Sequence, residues 1–165
     1  MTAQERPTTG AQPQVRLELD RADIGFSAAH FSVVGGRAER LHGHNYRVRL
    51  QVRGSPAPDG TLIDFAVLKR ALREACAELD ERTLLPLQSE RVEVRTDGED
   101  VYVAEGSRRF RFPRSDICLL PIPNTTCEAL AAYMLSAVRD RLGPLPVSLA
   151  LSVEETPGQG ATVAE

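Results

Sequence analysis

The stretch His42-Gly43-His44-Asn45-Tyr46-Arg47-Val48-Arg49-Leu50-Gln51-Val52-Arg53 changes character at almost every step. Successive side chains of a strand point to opposite faces, so His42, His44, Tyr46, Val48, Leu50 and Val52 share one side and Asn45, Arg47, Arg49, Gln51 and Arg53 the other. A helix would scatter these residues around its axis. A strand with one face on a core and one face in water accommodates all of them. The same period recurs in Val15, Leu17 and Leu19, and again in Val147, Leu149, Leu151 and Val153, where Glu155 continues in phase with the apolar side.

Elsewhere the spacing turns helical. Phe65, Leu68, Leu72, Ala75 and Leu79 predict a helix over residues 65–79, with Lys69, Arg70, Arg73 and Glu74 facing out. Thr125 followed by Glu128 reads as a capping box, after which Leu130, Met134, Ala137 and Val138 lie on one face until Gly143 and Pro144 end the helix. Between the helices, Val92–Val94, Val101–Val103 and Phe110–Phe112 are separated by Asp97-Gly98 and Gly106-Ser107 turns, which predicts a β-meander within an insert of about residues 87–120. Strand, strand, helix, insert, helix, strand, with a short closing strand near Ala161, is an α+β pattern in which two helices cover one face of an antiparallel sheet.

The chain has 165 residues, enough for one packed domain over residues 15–165. The polar, proline-containing leader, residues 1–14, is predicted to be disordered. A formal charge of −3 without a Lys/Arg block argues against nucleic acid or an anionic membrane surface as partner. No apolar run approaches the length of a membrane span, and the leader lacks a secretory pattern, so a cytoplasmic location is expected. The scattered cysteines, Cys76, Cys118 and Cys127, read as reduced, buried thiols.

The sequence contains three histidines. His30 ends the segment before the long strand, and His42 and His44 project from one face of that strand with Gly43 between them. Three imidazoles brought together in this way suit Zn2+ and leave it an open fourth position, the arrangement of a catalytic site. A lone histidine on an apolar face is more often a hydrogen-bonded core residue, but the pairing favours a metal.

Phe26-Ser27-Ala28-Ala29-His30, Leu41-His42-Gly43-His44-Asn45-Tyr46, Ile63-Asp64-Phe65, Leu79-Asp80, Asn124-Thr125-Thr126-Cys127-Glu128 and Val153-Glu154-Glu155-Thr156 follow one another in this order. Together they resemble the family of 6-pyruvoyl- and 6-carboxy-tetrahydropterin synthases. The resemblance implies a tunnelling fold, ββααββ, whose subunits form trimers stacked into hexamers with active sites between subunits. It implies a lyase acting on a small-molecule pterin, 7,8-dihydroneopterin or its triphosphate, with zinc on His30, His42 and His44. Glu155 is then expected to hold the pterin through the ring's adjacent N–H and amino donors, with Thr126 and Thr156 as further hydrogen-bonding residues.

Two positions depart from the family. Its members carry a proton-transferring cysteine about four residues before His-Gly-His and an aspartate–histidine pair after the first helix, whereas this sequence has Ala38 and Asp80-Glu81. Glu39, three residues before His42, creates Glu-x-x-His-Gly-His, which resembles the family branch in which a glutamate replaces the cysteine and 6-hydroxymethyl-dihydropterin, a folate precursor, is the product. Glu39 and Asp80 are accordingly the candidate catalytic residues. Three readings stay open: a 6-pyruvoyl or 6-carboxy product, the latter leading towards queuosine-type deazaguanines; side-chain cleavage to the 6-hydroxymethyl product; and a pterin-binding oligomer without turnover. Arg108, Arg109 and Arg111 of the insert are candidates to meet a triphosphate, against the commoner case of a solvated charged strand.

Overall fold

In the computed structural model, which describes residues 13–165, the strands in chain order are β1 (Val15–Leu19), β2 (Gly25–His30), β3 (Val33–Val34), β4 (Arg37–Ala38) and β5 (His42–Gly54). Helix α1 (Phe65–Ala77) is followed by β6 (Arg82–Pro86), β7 (Val92–Asp97), β8 (Asp100–Glu105), β9 (Arg108–Pro113) and β10 (Ile117–Leu120). Helix α2 (Cys127–Leu142), β11 (Ser148–Thr156) and β12 (Gln159–Ala164) complete the chain. The expectation of a disordered leader falls, apart from Pro13 and Gln14, outside the described residues.

The sheet is organised around β5. Its second half pairs antiparallel with β1 and its first half with β2, while β11 runs antiparallel along its other side and β12 closes that edge. The alternation read from the sequence is realised: Tyr46, Val48, Leu50 and Val52 are buried, and Asn45, Arg47 and Arg53 are exposed. Two short strands that the sequence reading did not anticipate, β6 and β10, extend the sheet in parallel beyond β2. Between them the chain leaves and re-enters the sheet, so they form the stem of the predicted meander, β7-β8-β9.

Both helices bury one stripe against the sheet, α1 through Leu68 and Leu72 and α2 through Leu130, Met134 and Val138, all in one core with Val48, Leu50 and Leu151. Helix α1 ends two residues earlier than expected and is capped by Asp64, whose carboxylate accepts the Ala66 N–H at 2.7 Å. The start of α2 also differs from expectation. Its cap is Thr126, which accepts the Ala129 N–H at 3.4 Å, and not Thr125. Thr125 is fully buried and donates its hydroxyl to the Phe31 carbonyl at 3.0 Å, so a long-range contact claims the side chain that local spacing assigned to the helix.

A second apolar cluster of Phe31, Leu85, Val92, Val101, Val103 and Ile117 lies under the meander, with Ala38 packed against it. The insert is thus anchored beside the end of β2, where His30 sits. Its arginines are engaged: Arg108 pairs with Glu105, Arg111 with Asp100, and Arg109 donates to the Gly106 and Arg108 carbonyls. Arg109 and Arg111 are exposed, as in the commoner case of a solvated strand face, whereas Arg108 is half-buried over Phe31 and Phe110, so the three do not form one open cluster of cations for a phosphate.

Candidate active site

Antiparallel pairing of β2 with β5 sets His30 opposite His42 and Ala28 opposite His44. The histidines therefore meet at one end of the sheet, and one ligand-capable atom from each lies within 4.8 Å of the others. Gly43 faces the Ala28 carbonyl, where an added Cβ would stand 3.3 Å away, so a small residue is needed between the two β5 histidines.

Backbone carbonyls orient two of the rings. His30 Nδ1 hydrogen-bonds the Thr125 oxygen at 2.9 Å, and His42 Nδ1 the Arg40 oxygen at 2.6 Å. A carbonyl oxygen only accepts, so each Nδ1 carries a proton, and the neutral form of such a ring presents its Nε2 lone pair to a metal. His30 is 1 % exposed and its Nε2 is buried without a protein partner. Burial lowers the His30 pKa against the opposing pull of the Thr125 contact, and the charges of His42 and His44 lower it further. A neutral imidazole with an unsatisfied inward lone pair is costly by about 1–3 kcal/mol unless something accepts it. The donor set, three convergent imidazoles of which His30 and His42 are oriented by carbonyls, fits Zn2+.

Beside this cluster a cleft of about 270 Å³ is lined by Ser32, Glu39, Thr126, Cys127, Glu128 and Glu155, among others. Glu155 reaches it through a β-bulge: Glu154 pairs with Gly160 and Thr156 with Gln159, leaving Glu155 as the extra residue. Its negative charge reaches both His30 and Tyr46. Glu39 follows the β3–β4 hairpin, whose turn places Gly35 and Gly36 in the left-handed region at φ 57° and 75°. Glu39 N–H donates to the Ser32 carbonyl at 2.9 Å, and Ser32 N–H returns a bond to Glu39 Oε2 at 3.2 Å. The carboxylate is held at the cleft while the neighbouring Ala38 packs into the cluster beneath the insert.

The remaining candidates separate. Thr126 lines the cleft, whereas Thr156 donates to Gln159 Oε1 at 2.9 Å and is not among the lining residues. Asp80 accepts the Ser27 N–H at 2.7 Å and borders a different depression, with Asp23, Asn45 and Arg47. Within one chain, Asp80 and Glu39 do not share a cleft.

Three residues here escaped the sequence reading. Glu128 was assigned to a capping box; with the cap at Thr126 it is free to line the cleft. Cys127 lines the cleft together with Glu155, whose charge acts on its thiol. Tyr46 is 2 % exposed, yet its hydroxyl has no protein partner. Burial raises its pKa, and the Cys127, Glu155 and Glu39 charges raise it further, so the phenol remains a donor. The period-two pattern, which sets Tyr46 in line with His42 and His44, was the available signal.

The profile of the family described as 6-pyruvoyl tetrahydropterin synthase matches residues 21–165. The chain belongs to this family. Among its relatives is a putative 6-carboxy-5,6,7,8-tetrahydropterin synthase of Methanocaldococcus jannaschii, 35% identical over 88% of this chain and 93% of that protein. The 6-carboxy-5,6,7,8-tetrahydropterin synthase of Bacillus subtilis is 29% identical over 89% of this chain and 84% of its own. The crystal structure of 6-pyruvoyl tetrahydropterin synthase from Plasmodium vivax superposes with a TM-score of 0.89 at 30% identity, covering 93% of this chain and 99% of that one. A variant of the P. vivax protein with a catalytic glutamate replaced by alanine superposes equally well, with a TM-score of 0.89 at 28% identity and the same coverage of 93% and 99%. The tunnelling-fold reading of the sequence agrees with these neighbours, and among the described residues no helix is long and apolar enough to cross a membrane.

Proposed function

We propose that this protein is a zinc-dependent lyase that cleaves the side chain of 7,8-dihydroneopterin or its triphosphate to a 6-hydroxymethyl-dihydropterin, with Glu39 in the proton-transfer role that most of the family gives to cysteine. The observation that carries this reading is the placement of Glu39. Its carboxylate is held by Ser32 at the cleft that also contains Glu155, while the Ala38 side chain is packed away from that cleft. The P. vivax neighbour with its catalytic glutamate supports the same assignment.

His30, His42 and His44 would hold the zinc, which supplies a Lewis acid that makes the substrate's side-chain hydroxyls more acidic. Glu155 binds the pterin edge with two parallel, charge-assisted hydrogen bonds, which fixes the ring plane. Thr126, at the helix N-terminus, lines the same pocket and supports ring placement. Glu39 removes the proton of the second side-chain hydroxyl; the adjacent carbon–carbon bond breaks, the departing fragment leaves as an aldehyde, and Glu39 returns the proton to the carbon that remains on the ring. Asp80, remote from Glu39 in the same chain, would act at the site of a neighbouring copy in a trimer or hexamer.

The test is mass spectrometry of products from zinc-loaded protein given each substrate, beside Glu39→Gln. A 6-hydroxymethyl product that the variant does not make is expected. Pterin binding without any product, unaffected by the substitution, would instead favour a binding protein that has lost turnover.

A further inference from the structure

The β-meander is joined to the Glu39 segment through one side chain. Arg108 opens β9 directly opposite Glu105 across a two-residue turn. Its Nε and Nη2 both donate to Glu105 Oε2, at 3.0 and 2.9 Å. The third nitrogen, Nη1, donates to the Glu39 carbonyl at 2.6 Å. The guanidinium also lies over the rings of Phe31 and Phe110, 5.4 and 5.8 Å from their centroids. A side chain fixed on three sides in this way has little freedom left, and the Glu105 side chain that holds it is only 13% exposed.

The backbone it grips is short and carries two jobs. Glu39 supplies the cleft carboxylate, and one residue later the Arg40 carbonyl orients His42. The other end of the Glu39 tether runs through Ser32, whose hydroxyl donates to the same Thr125 carbonyl that orients His30. Arg108 is thus tied through hydrogen bonds of Glu39, Ser32 and Thr125 to His30, and through the Glu39–Arg40 backbone to His42. Its charge is neutralised by Glu105, so its influence on Glu39 is one of geometry more than of field.

We infer that Arg108 is a positioning residue: the insert acts as a buttress that fixes the Glu39 carboxylate by holding its backbone carbonyl. This rests on the reading of Glu39 as the proton-transfer group. Displacement of such a group by about 1 Å lowers the chemical step by up to ~100-fold without removing any substrate contact.

The experiment compares kcat and KM for 7,8-dihydroneopterin in zinc-loaded wild type, Arg108→Ala, Arg108→Lys, Glu39→Gln and, as a control on the same insert, Arg111→Ala. Arg108→Ala is expected to lower kcat by about 10- to 100-fold with KM within about twofold of wild type. Arg108→Lys, which keeps a donor for Glu39 but not the fork onto Glu105, should recover part of that loss, and Arg111→Ala should match wild type. Wild-type kcat in Arg108→Ala beside an inactive Glu39→Gln overturns this inference and leaves the Glu39 reading standing. Wild-type kcat in Glu39→Gln overturns both. A rise in KM with kcat retained shows Arg108 acting on substrate binding and overturns the positioning role.

Discussion

Cys127 lines the same cleft as Glu155, and its pKa is pushed up to about 12, by burial first and by the Glu155 charge second. A thiol at the start of a helix is ordinarily the more acidic for it. Here burial, and after it the Glu155 charge, reverses that tendency, which argues against Cys127 as a substitute for the family's missing cysteine. Alkylation by iodoacetamide at pH 8, followed by peptide mass spectrometry, should find Cys127 far slower than free cysteine and faster in Glu155→Gln. Rapid labelling of Cys127 in the native wild type would contradict this assignment.

The same shift has a stability consequence at alkaline pH. Cys76, too, is pushed up to about 12, by burial and then by the Asp80 charge. Both thiols keep their protons in the folded state at pH values where the unfolded chain has released them. Their contribution is present below the ordinary thiol value of 9.0 and is lost as pH rises towards about 12. Thermal melts between pH 8 and 11 should show a falling midpoint, with a shallower fall in Cys76→Ala after correction for its lower starting stability.

Tyr46 should separate stability from activity. Its buried hydroxyl has no protein partner, so Tyr46→Phe removes an unsatisfied group and should leave stability unchanged or raise it by about 1 kcal/mol in urea unfolding. If that hydroxyl serves bound substrate beside Glu155 and Glu39, turnover in the same variant falls by roughly tenfold. Full turnover in Tyr46→Phe would remove Tyr46 from the site.

The histidines should differ in what their loss costs. His42 is the most open of the three, so His42→Ala should abolish metal binding while changing the stability of the metal-free protein by less than about 0.5 kcal/mol. His30→Ala empties a buried position and removes one of the two side-chain donors to the Thr125 carbonyl, costing about 1–3 kcal/mol even without metal. Elemental analysis with chemical unfolding of chelator-treated protein checks both. Chelation of the wild type should itself lower the melting temperature, by an amount set by how far free zinc exceeded its Kd.

Gly160 bears on the aim of Glu155. It lies opposite Glu154 at the bulge, and a Cβ there would run into the Val153 carbonyl oxygen and stand 2.8 Å from the Glu154 Cα. Gly160→Ala should destabilise the protein by about 1–3 kcal/mol and weaken pterin affinity, measured by calorimetry, because the β11–β12 pairing must open where Glu155 is set.

Much of the site was readable because strands carry a two-residue period: once β2 and β5 pair, His30, His42 and His44 have little choice but to converge. Phase put Glu155 on the apolar side of its strand, but the bulge that sets its direction was not visible, since an extra residue in one strand is defined only by its partner. Thr125 was misassigned for a related reason. Local spacing made it a helix cap, whereas its hydroxyl is spent on the Phe31 carbonyl, 94 positions away. That error hid Glu128. The parallel strands β6 and β10 went unseen because Leu84 and Leu85 form a short continuous apolar run, which carries no period to read.

Ala38 ends β4 with its methyl group turned into the cluster beneath the insert, and Glu39 turns the other way, into the cleft. The chain thus directs two adjacent side chains to opposite sides of the segment. A thiol introduced at Ala38 would face the cluster beneath the insert, so bringing it to the cleft demands a one-residue slip of the segment, not the exchange of one side chain for another.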